Sequence, residues 1–210
     1  MVSGPPPRFV SRGGDKLEAA LQAFAIAVPG RRALDVGAST GGFTDCLLAH
    51  GAAHVYALDV GSSQLAWALR TDARVTVLEG VNIRHFDPAR LGNPVPIAVV
   101  DVSFISLLVV APALGAATTP TADLVLLAKP QFEAGRDRVP RGGVVRDPSV
   151  HAEVLDRLTR GLGEVGLPIV DAVPSPLLGA DGNREFLLHI RRDGTARSPE
   201  QVAALAEAQP

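Results

Sequence analysis

The sequence has very little cysteine and no long apolar run. Cys46 is the only cysteine among 210 residues, so the chain forms no disulfide within itself and has no cysteine metal site. The five histidines lack the spacing of metal ligands, so no metal is predicted. No apolar run reaches the ~18–20 residues of a membrane helix, and the start, MVSGPPPRFV, lacks a signal peptide's apolar core. These absences predict a protein of a reducing compartment, the cytoplasm, with Cys46 as a buried filler and no membrane partner.

Lysine is scarce among the charged residues. Only two of the 20 basic residues are lysines, Lys16 and Lys129, and the others are arginines. Arginine keeps its proton in proteins, whereas lysine can release it in a tuned environment. The two lysines therefore suggest a task that arginine could not perform, with codon bias as the alternative. The net charge of −2 argues against wholesale wrapping of nucleic acid but leaves room for a local basic face.

Apolar runs that alternate with amphipathic segments predict an α/β fold, and 47% hydrophobic content over this length fits one domain. An N-terminal helix is expected to be capped by Ser11 or Asp15, and Trp67 is assigned to the core. Further helices are predicted over residues 43–50, 64–69, 105–116 and 148–165, with a short one from Pro199. Strands are predicted over residues 33–36, 54–58, 75–78, 97–100, 124–128, 169–173 and 185–190.

The stretch over residues 32–43, RALDVGASTGGF, reads as a buried strand, a glycine turn and the start of a helix. Such turns hold nucleotide-like ligands, because glycines let the backbone come close and the helix start offers free N–H groups. The dinucleotide pattern GxGxxG is not matched, since Ser39 occupies its second glycine position. Asp35, two residues before the first glycine, suits a cation better than a pyrophosphate. The pattern therefore predicts a site for S-adenosylmethionine; a nicotinamide site and a joint without a ligand are the alternatives.

Polar residues also follow other predicted strands. Asp59 is placed to bind the two hydroxyls of a ribose, unless it is a cap or loop acid. Asn82 is placed to bond the adenine edge, unless it is a turn asparagine. Asp101 and Lys129 follow the next two strands. All four therefore lie at the carboxyl ends of strands, the edge at which open α/β sheets bind ligands.

Residues 134–147, AGRDRVPRGGVVRD, are too polar and too rich in glycine for a core element. The stretch is either a solvated surface loop or a lid that grips phosphate, because arginine forks bind phosphate oxygens well. Its arginines are Arg136, Arg138, Arg141 and Arg146.

The chain resembles the methyltransferase domain of the TlyA family, often named hemolysin A, a relative of the FtsJ-type ribose 2′-O-methyltransferases. This resemblance implies a Rossmann-like class I S-adenosylmethionine-dependent methyltransferase, with a seven-stranded, mostly parallel sheet, one antiparallel strand and helices on both faces. The motifs that carry it run in family order: SRGGDKL (11–17), LDVGASTGGF (34–43), ALDVG (57–61), DVSFIS (101–106), KPQFE (129–133), GGVVRDP (142–148) and GNREFLLHI (182–190).

The family's catalytic set falls by motif on Lys16, Asp101, Lys129 and Glu185, which uses both lysines. Lys129 is expected to be the general base, with the two acids orienting the amines and Lys16 steering the ribose or a phosphate. The predicted substrate contacts are Arg12, Phe132, Arg136, Arg138 and Arg141, with stacking on the adenine or a place in the core as the alternatives for Phe132. The predicted cofactor contacts are Asp35, Gly37, Ser39, Thr40, Gly41, Gly42, Phe43, Asp59, Val60, Asn82 and Asp101.

The resemblance implies ribosomal RNA or ribosomal subunits as the partner, with cytidines of 16S and 23S rRNA as targets. The expected organisation is a flexible segment or linker over residues 1–10, the methyltransferase domain over 11–192 and a polar tail over 193–210. Family members carry an N-terminal S4-type RNA-binding domain for which this chain has no room, so weak, salt-sensitive RNA affinity is expected. A monomer is favoured.

Three other functions remain open at this stage. A catalytically silent RNA-binding or ribosome-assembly module would keep the fold without the chemistry. A membrane-active hemolysin is disfavoured because no membrane segment or basic amphipathic helix is evident. Methylation of a base nitrogen is disfavoured because the turn after the fourth strand, DVSF, lacks the prolines of base-stacking turns.

Overall fold

The structure of the chain, a computed structural model, describes residues 7–207 apart from the side chain of Arg136. Parts of the two predicted terminal segments, residues 1–6 and 208–210, lie outside the described residues. The strands are β1 (Arg32–Val36), β2 (His54–Leu58), β3 (Val75–Leu78), β4 (Val95–Val100), β5 (Thr118–Ala128), β6 (Ile169–Pro174) and β7 (Phe186–Ile190). The helices are α1 (Gly13–Ala23), α2 (Gly42–Ala49), α3 (Trp67–Arg70), α4 (Leu107–Ala117), α5 (Pro130–Glu133), α6 (Pro148–Glu164) and α7 (Pro199–Ala203).

All seven strands form one sheet in the order β3-β2-β1-β4-β5-β7-β6. Every neighbouring pair from β3 to β5 is parallel, and β7 runs antiparallel to both β5 and β6. The predicted mostly parallel sheet with one antiparallel strand is therefore confirmed. The carboxyl ends of β1, β2, β4 and β5 meet at one edge, called the ligand edge below.

Alternate residues of the central strands supply two apolar cores, one on each face of the sheet. Leu34 and Val36 of β1 belong to the core that α4 and α6 cover. Ala33 belongs to the opposite core, which α1 and α2 cover. Because both faces are covered, the central strands are apolar almost throughout, as parallel strands buried on both sides are. This arrangement confirms the prediction of helices on both faces.

Two local predictions are wrong. Trp67 is 75% exposed rather than core, because Leu69 of α3 and Leu65, just before the helix, pack against the glycine turn. Neither Ser11 nor Asp15 caps α1; Arg12 holds the N-cap position, and no side chain bonds the helix start there.

The other elements lie close to their predicted bounds, except that β5 begins at Thr118, six residues before the predicted start, and α3 covers Trp67–Arg70 rather than 64–69. The segment predicted as a polar tail includes α7, whose Val202 is fully buried in the core that α4 and α6 cover. Cys46 is buried, as predicted, and burial raises the pKa of its thiol to about 12. The thiol is therefore a packing group.

Candidate active site

The glycine turn brings the end of β1 against the end of β4. Gly37 has φ +84°, a conformation that favours glycine, and a Cβ atom there would overlap the carbonyl oxygen of Asp101. Gly42 lies equally close to the start of α1, since a Cβ atom would overlap Ser11 Oγ. The turn therefore fixes both α1 and the residues after β4 at the ligand edge.

A cavity of about 260 Å³ at this edge contains two lysine–acid pairs. Lys16 Nζ lies 2.5 Å from Glu185 Oε2, and Lys129 Nζ lies 2.5 Å from Asp101 Oδ1. Lys129 also donates to Ser103 Oγ at 3.2 Å. Four distant segments thus bring together the whole predicted catalytic set in one cavity, called the reaction cavity below.

Both members of the first pair are almost fully buried. Lys16 is 8% exposed and Glu185 is 3% exposed. Burying a charge without a partner costs several kcal/mol, so each charge keeps the other in place. Gly179 makes room for this pair, because a Cβ atom there would crowd the Glu185 carboxylate.

A second cavity, of about 520 Å³, lies on the other side of the glycine turn and is called the nucleoside cavity below. Asp59 accepts the amide of Ser39 at 2.8 Å and the amide of Gly61 at 2.7 Å, which fixes its carboxylate at the end of β2. Asn82 accepts the amide of Arg84 at 3.0 Å through Oδ1 and so starts a short 3-10 turn. Apolar lining comes from Val60, Ile83, Phe104 and others.

The two cavities share part of their walls. Gly37, Ser39 and Asp101 line both of them. A ligand in the nucleoside cavity and a ligand in the reaction cavity would therefore meet at the end of β1. An acid at the end of β2, an amide beyond β3 and an apolar wall suit an adenosine, and the shared acid Asp101 suits a cation. The lining therefore fits the predicted cofactor, S-adenosylmethionine.

The remaining predicted cofactor residues divide between the two cavities and the interior. Val60 lines the nucleoside cavity, while Thr40, Gly42 and Phe43 line the reaction cavity. Gly41 lines neither, because its φ of +102° serves the turn and its surface is covered by Leu65 and Leu69.

Asp35 also lines neither cavity and is fully buried behind the glycine turn. Thr44 Oγ1 donates to its Oδ2 at 2.6 Å, while Oδ1 has no hydrogen-bond partner among the described residues. Burial raises the pKa of Asp35 to about 7, and the hydrogen bond from Thr44 opposes that rise. The carboxylate is thus bonded to α2 through Thr44 and meets neither cavity, so its role in this arrangement is structural.

The predicted substrate residues are separated in space. Arg12 lines the reaction cavity, and the Phe132 ring lies 5.8 Å from Lys129 Nζ. Arg138 instead pairs with Glu153 of α6 at 2.9 Å. Arg141 is exposed, and the side chain of Arg136 lies outside the described residues.

Phe104 lies at the ligand edge but was not among the predicted site residues. It is 90% exposed, has φ +62°, and its ring centroid lies 4.8 Å from that of Phe132. The sequence feature that could have identified it as a site residue is a large aromatic residue in the turn directly after a buried strand. Its exposure beside Lys129 makes it a candidate surface for a flat ligand.

The sheet order gives the chain the fold of the class I S-adenosylmethionine-dependent methyltransferases. Residues 9–192 match the sequence model of the FtsJ-like methyltransferases, and the chain belongs to that family. Over residues 7–207, none of the helices has the length and apolar character needed to traverse a bilayer. Among residues 7–207, no three His, Cys, Asp or Glu side chains lie together in a way that could hold a metal ion.

Several known proteins are similar to this chain. It is 53% identical over 183 residues to the 16S/23S rRNA (cytidine-2′-O)-methyltransferase TlyA of Mycobacterium tuberculosis, an alignment that covers 87% of this chain and 68% of TlyA. A solved structure of a candidate hemolysin from Streptococcus thermophilus has a TM-score of 0.90 and 42% identity, covering 97% of this chain and 76% of that one. Aeropyrum pernix fibrillarin with bound S-adenosyl-L-methionine has a TM-score of 0.60 and 17% identity, covering 83% and 74%, and shows the fold alone.

Proposed function

We propose that this chain transfers a methyl group from S-adenosylmethionine to a ribose 2′-hydroxyl of ribosomal RNA, with cytidines of the 16S and 23S molecules as targets. One observation carries the proposal: two lysine–acid pairs from four separate segments line a single cavity beside a nucleoside-sized one. The name of the TlyA relative, which is 53% identical over 183 residues, supports the choice of substrate.

The nucleoside cavity would hold the cofactor. Asp59 would accept hydrogen bonds from the two ribose hydroxyls, and Asn82 would bond the adenine edge with its free amide group. Asp101, in the shared wall, would attract the cationic part of the cofactor. When bound, S-adenosylmethionine supplies a methyl group on a sulfonium that is already activated for transfer.

Lys129 would act on the acceptor. A ribose 2′-hydroxyl is a poor nucleophile, so its proton must leave as the oxygen–methyl bond forms. To act as the base, the Lys129 amine must first give up its own proton; it would then take the proton of the hydroxyl, while Asp101 at 2.5 Å and Ser103 at 3.2 Å hold the amine in place. Alignment and proton removal are the two contributions that this transfer needs from the protein.

Lys16 and Glu185 would position the acceptor nucleotide. Glu185 fixes the Lys16 amine at 2.5 Å, at the wall of the same cavity that Arg12 lines. Two cations there suit a ribose flanked by phosphates, because charged donors bind phosphate oxygens strongly. Exposed Phe104, with the half-buried Phe132 beside it, would stack on the base of the same nucleotide.

The first experiment is calorimetric titration with S-adenosylmethionine, followed by tritium transfer from the labelled cofactor to ribosomal subunits and to free rRNA. We expect binding, transfer to RNA, and label that remains in dinucleotides after alkaline hydrolysis, because a 2′-O-methyl group blocks cleavage at its own phosphodiester. Label in alkali-sensitive mononucleotides would point to base methylation and would refute the proposed acceptor.

The Lys129→Met variant tests the proposed base. We expect it to keep its cofactor affinity, to lose some thermal stability because Asp101 is left without its partner, and to lose transfer by at least about 100-fold, within the range of general-base contributions. Arg160→Met is the matched control, because Arg160 lies on the outer face of α6 and pairs with Asp156 at 2.9 Å. Full transfer activity in Lys129→Met would refute Lys129 as the base, whereas a wild-type protein that transfers no methyl group would leave the RNA-binding or assembly role as the better account.

Location and oligomeric state belong to the same proposal. We propose a cytoplasmic monomer, since ribosomal RNA is the substrate and each described catalytic side chain comes from one chain. Sedimentation of the protein with and without ribosomal subunits tests both its state and its partner.

A further inference from the structure

Two loops at the ligand edge carry the proposed chemistry, and they are joined at both ends. The first, called the Asp101 loop, follows β4 and carries Asp101 and Phe104. The second, called the Lys129 loop, follows β5, includes the short helix α5, and carries Lys129 and Phe132. At the near end, Lys129 pairs with Asp101 at 2.5 Å. Between the ends, the two phenylalanine rings lie 4.8 Å apart.

Glu133 joins the far ends. Its Oε1 accepts the backbone amide of Leu107 at 2.7 Å, and its Oε2 accepts Ser106 Oγ at 2.7 Å. Ser106 is the N-cap of α4, so Glu133 bonds the start of the helix that follows the Asp101 loop. One side chain on the second loop thus holds the end of the first.

The surroundings of Glu133 show that this connection is built into the fold. Glu133 is 3% exposed. Arg157 of α6 contacts the Glu133 carboxylate at 3.3 Å and also contacts the Glu133 backbone carbonyl. Burial raises the pKa of Glu133, whereas the bonds from Leu107 and Ser106 and the charge of Arg157 lower it. A carboxylate in this place also faces the positive end of α4, which stabilises its charge.

We propose that Glu133 is a positioning residue for methyl transfer: by fixing the start of α4 to the end of α5, it sets the spacing of the Asp101 and Lys129 loops. This inference rests on the proposed function. Glu133 lines neither cavity, so it acts through Lys129, Asp101 and the two phenylalanines rather than on a ligand. A shift of about 1 Å in such loops can cost a reaction on the order of 100-fold, because alignment dominates this kind of transfer.

A purely structural role makes a different prediction. If Glu133 only stabilised the fold, its replacement would lower the amount of folded protein and leave the folded fraction fully active. If it positions the two loops, the folded fraction itself turns over slowly. The cofactor affinity would change less than kcat, because Asp59 and Asn82 lie outside the connection, although Asp101 lies within it.

The test compares Glu133→Ala and Glu133→Gln with Asp123→Asn as a matched control. Asp123 is a buried acid towards the other end of β5, bonded by Arg31 at 2.8 Å and His189 at 3.0 Å. The readouts are kcat per folded molecule, KM for the cofactor, and hydrogen exchange of peptides that span residues 101–109. We expect Glu133→Ala to lower kcat about 10- to 100-fold, to change KM less than about threefold, and to speed exchange over 101–109.

Glu133→Gln keeps one carbonyl oxygen for the Leu107 amide, so we expect it to recover most of the lost kcat. Asp123→Asn should lose stability and keep kcat. An unchanged kcat in Glu133→Ala, or a loss equal to that of Asp123→Asn, would overturn the proposal.

The methyl-transfer activity of the wild-type protein separates this inference from the proposed function. If the wild-type protein transfers no methyl group, the proposed function fails and with it the positioning role, even if exchange over 101–109 speeds up. If the wild type transfers methyl groups and Glu133→Ala does so equally well, only the positioning role fails.

Discussion

Lys16 and Glu185 are 169 positions apart in the chain, yet Lys16 Nζ lies 2.5 Å from Glu185 Oε2 in a nearly solvent-free place. The first turn of α1 supplies the lysine, and the residue before β7 supplies the acid. Both residues line the reaction cavity, as Lys129 does. The pair therefore takes part in the proposed chemistry and also joins the N-terminal helix α1 to the segment before the last strand, β7.

Removing one member of this pair should cost more stability than removing both. Lys16→Met leaves Glu185 buried without its partner, and we expect a loss of about 3–5 kcal/mol in the free energy of unfolding. The double variant Lys16→Met/Glu185→Leu should recover a large part of that loss, although neither variant should transfer methyl groups. Urea unfolding of the two single variants and the double variant measures the coupling. A double variant whose loss equals the sum of the single ones would contradict this prediction.

Asp35 should make the protein less stable as the pH rises. Burial raises its pKa from 3.8 to about 7, so between about pH 4 and about pH 7 the folded state keeps a proton that the unfolded chain has released. This contribution to the stability therefore falls across that window and is constant above it. Asp35→Asn keeps an oxygen for Thr44 but does not ionise. We expect the stability of the variant relative to the wild type to increase by about 1.4 kcal/mol for each pH unit within the window.

Urea unfolding of both proteins at several pH values measures this difference. A constant difference between the variant and the wild type would show that Asp35 is ionised at every pH in the folded state.

Gly37 should be intolerant of a methyl group, and Gly30 supplies the control. Gly37 and Gly30 have φ values of +84° and +74°, so alanine is similarly unfavourable at both by backbone conformation, at about 1 kcal/mol or more. Only at Gly37 would the new Cβ overlap another group, the Asp101 carbonyl, whereas nothing lies within 4 Å at Gly30. We expect Gly37→Ala to weaken cofactor binding at least about 10-fold, and Gly30→Ala to leave it unchanged. Equal cofactor affinities in calorimetry would show that the close approach is not needed.

Phe104 should contribute to RNA affinity and not to stability. Because its side chain is 90% exposed, Phe104→Ala removes little packing, and we expect a change below about 0.5 kcal/mol in stability. The loss of one stacked base should weaken RNA binding by about 1–3 kcal/mol, or roughly 5- to 150-fold. Val109→Ala, at a 46% exposed site on α4, is the control. Filter binding at fixed salt distinguishes the two variants, and equal affinities would exclude stacking by Phe104.

The sheet was readable from the sequence because strands buried on both faces are short apolar runs. The predicted bounds of β2 and β3 agree with the structure, and those of β1, β4 and β7 differ by one or two residues at one end. The residues at strand ends were readable for a related reason, since all parallel strands present their carboxyl ends at the same edge. Lys129 and Asp101 were thus expected to meet, and they do.

The sequence alone could not predict the direction in which a side chain points or which distant residue it contacts. Asp35 is the residue before the last one of β1, so its side chain leaves from a face of the sheet towards α2 rather than from the edge. Arg138 belongs to an arginine-rich loop, but its partner Glu153 lies on a helix that the loop precedes. In the sequence, Glu133 is one more charged residue of a short motif. Only the structure shows that its carboxylate bonds the start of α4.

The exposure of Trp67 has a practical consequence. It is the only tryptophan of the chain. Two residues near it, Leu65 and Leu69, pack onto Gly41 in the glycine turn that borders both cavities. Its emission therefore comes from a single known position, so the protein contains its own optical probe. Fluorescence can follow the arrival of small molecules or RNA at that turn in real time, without a dye and without any change to the sequence.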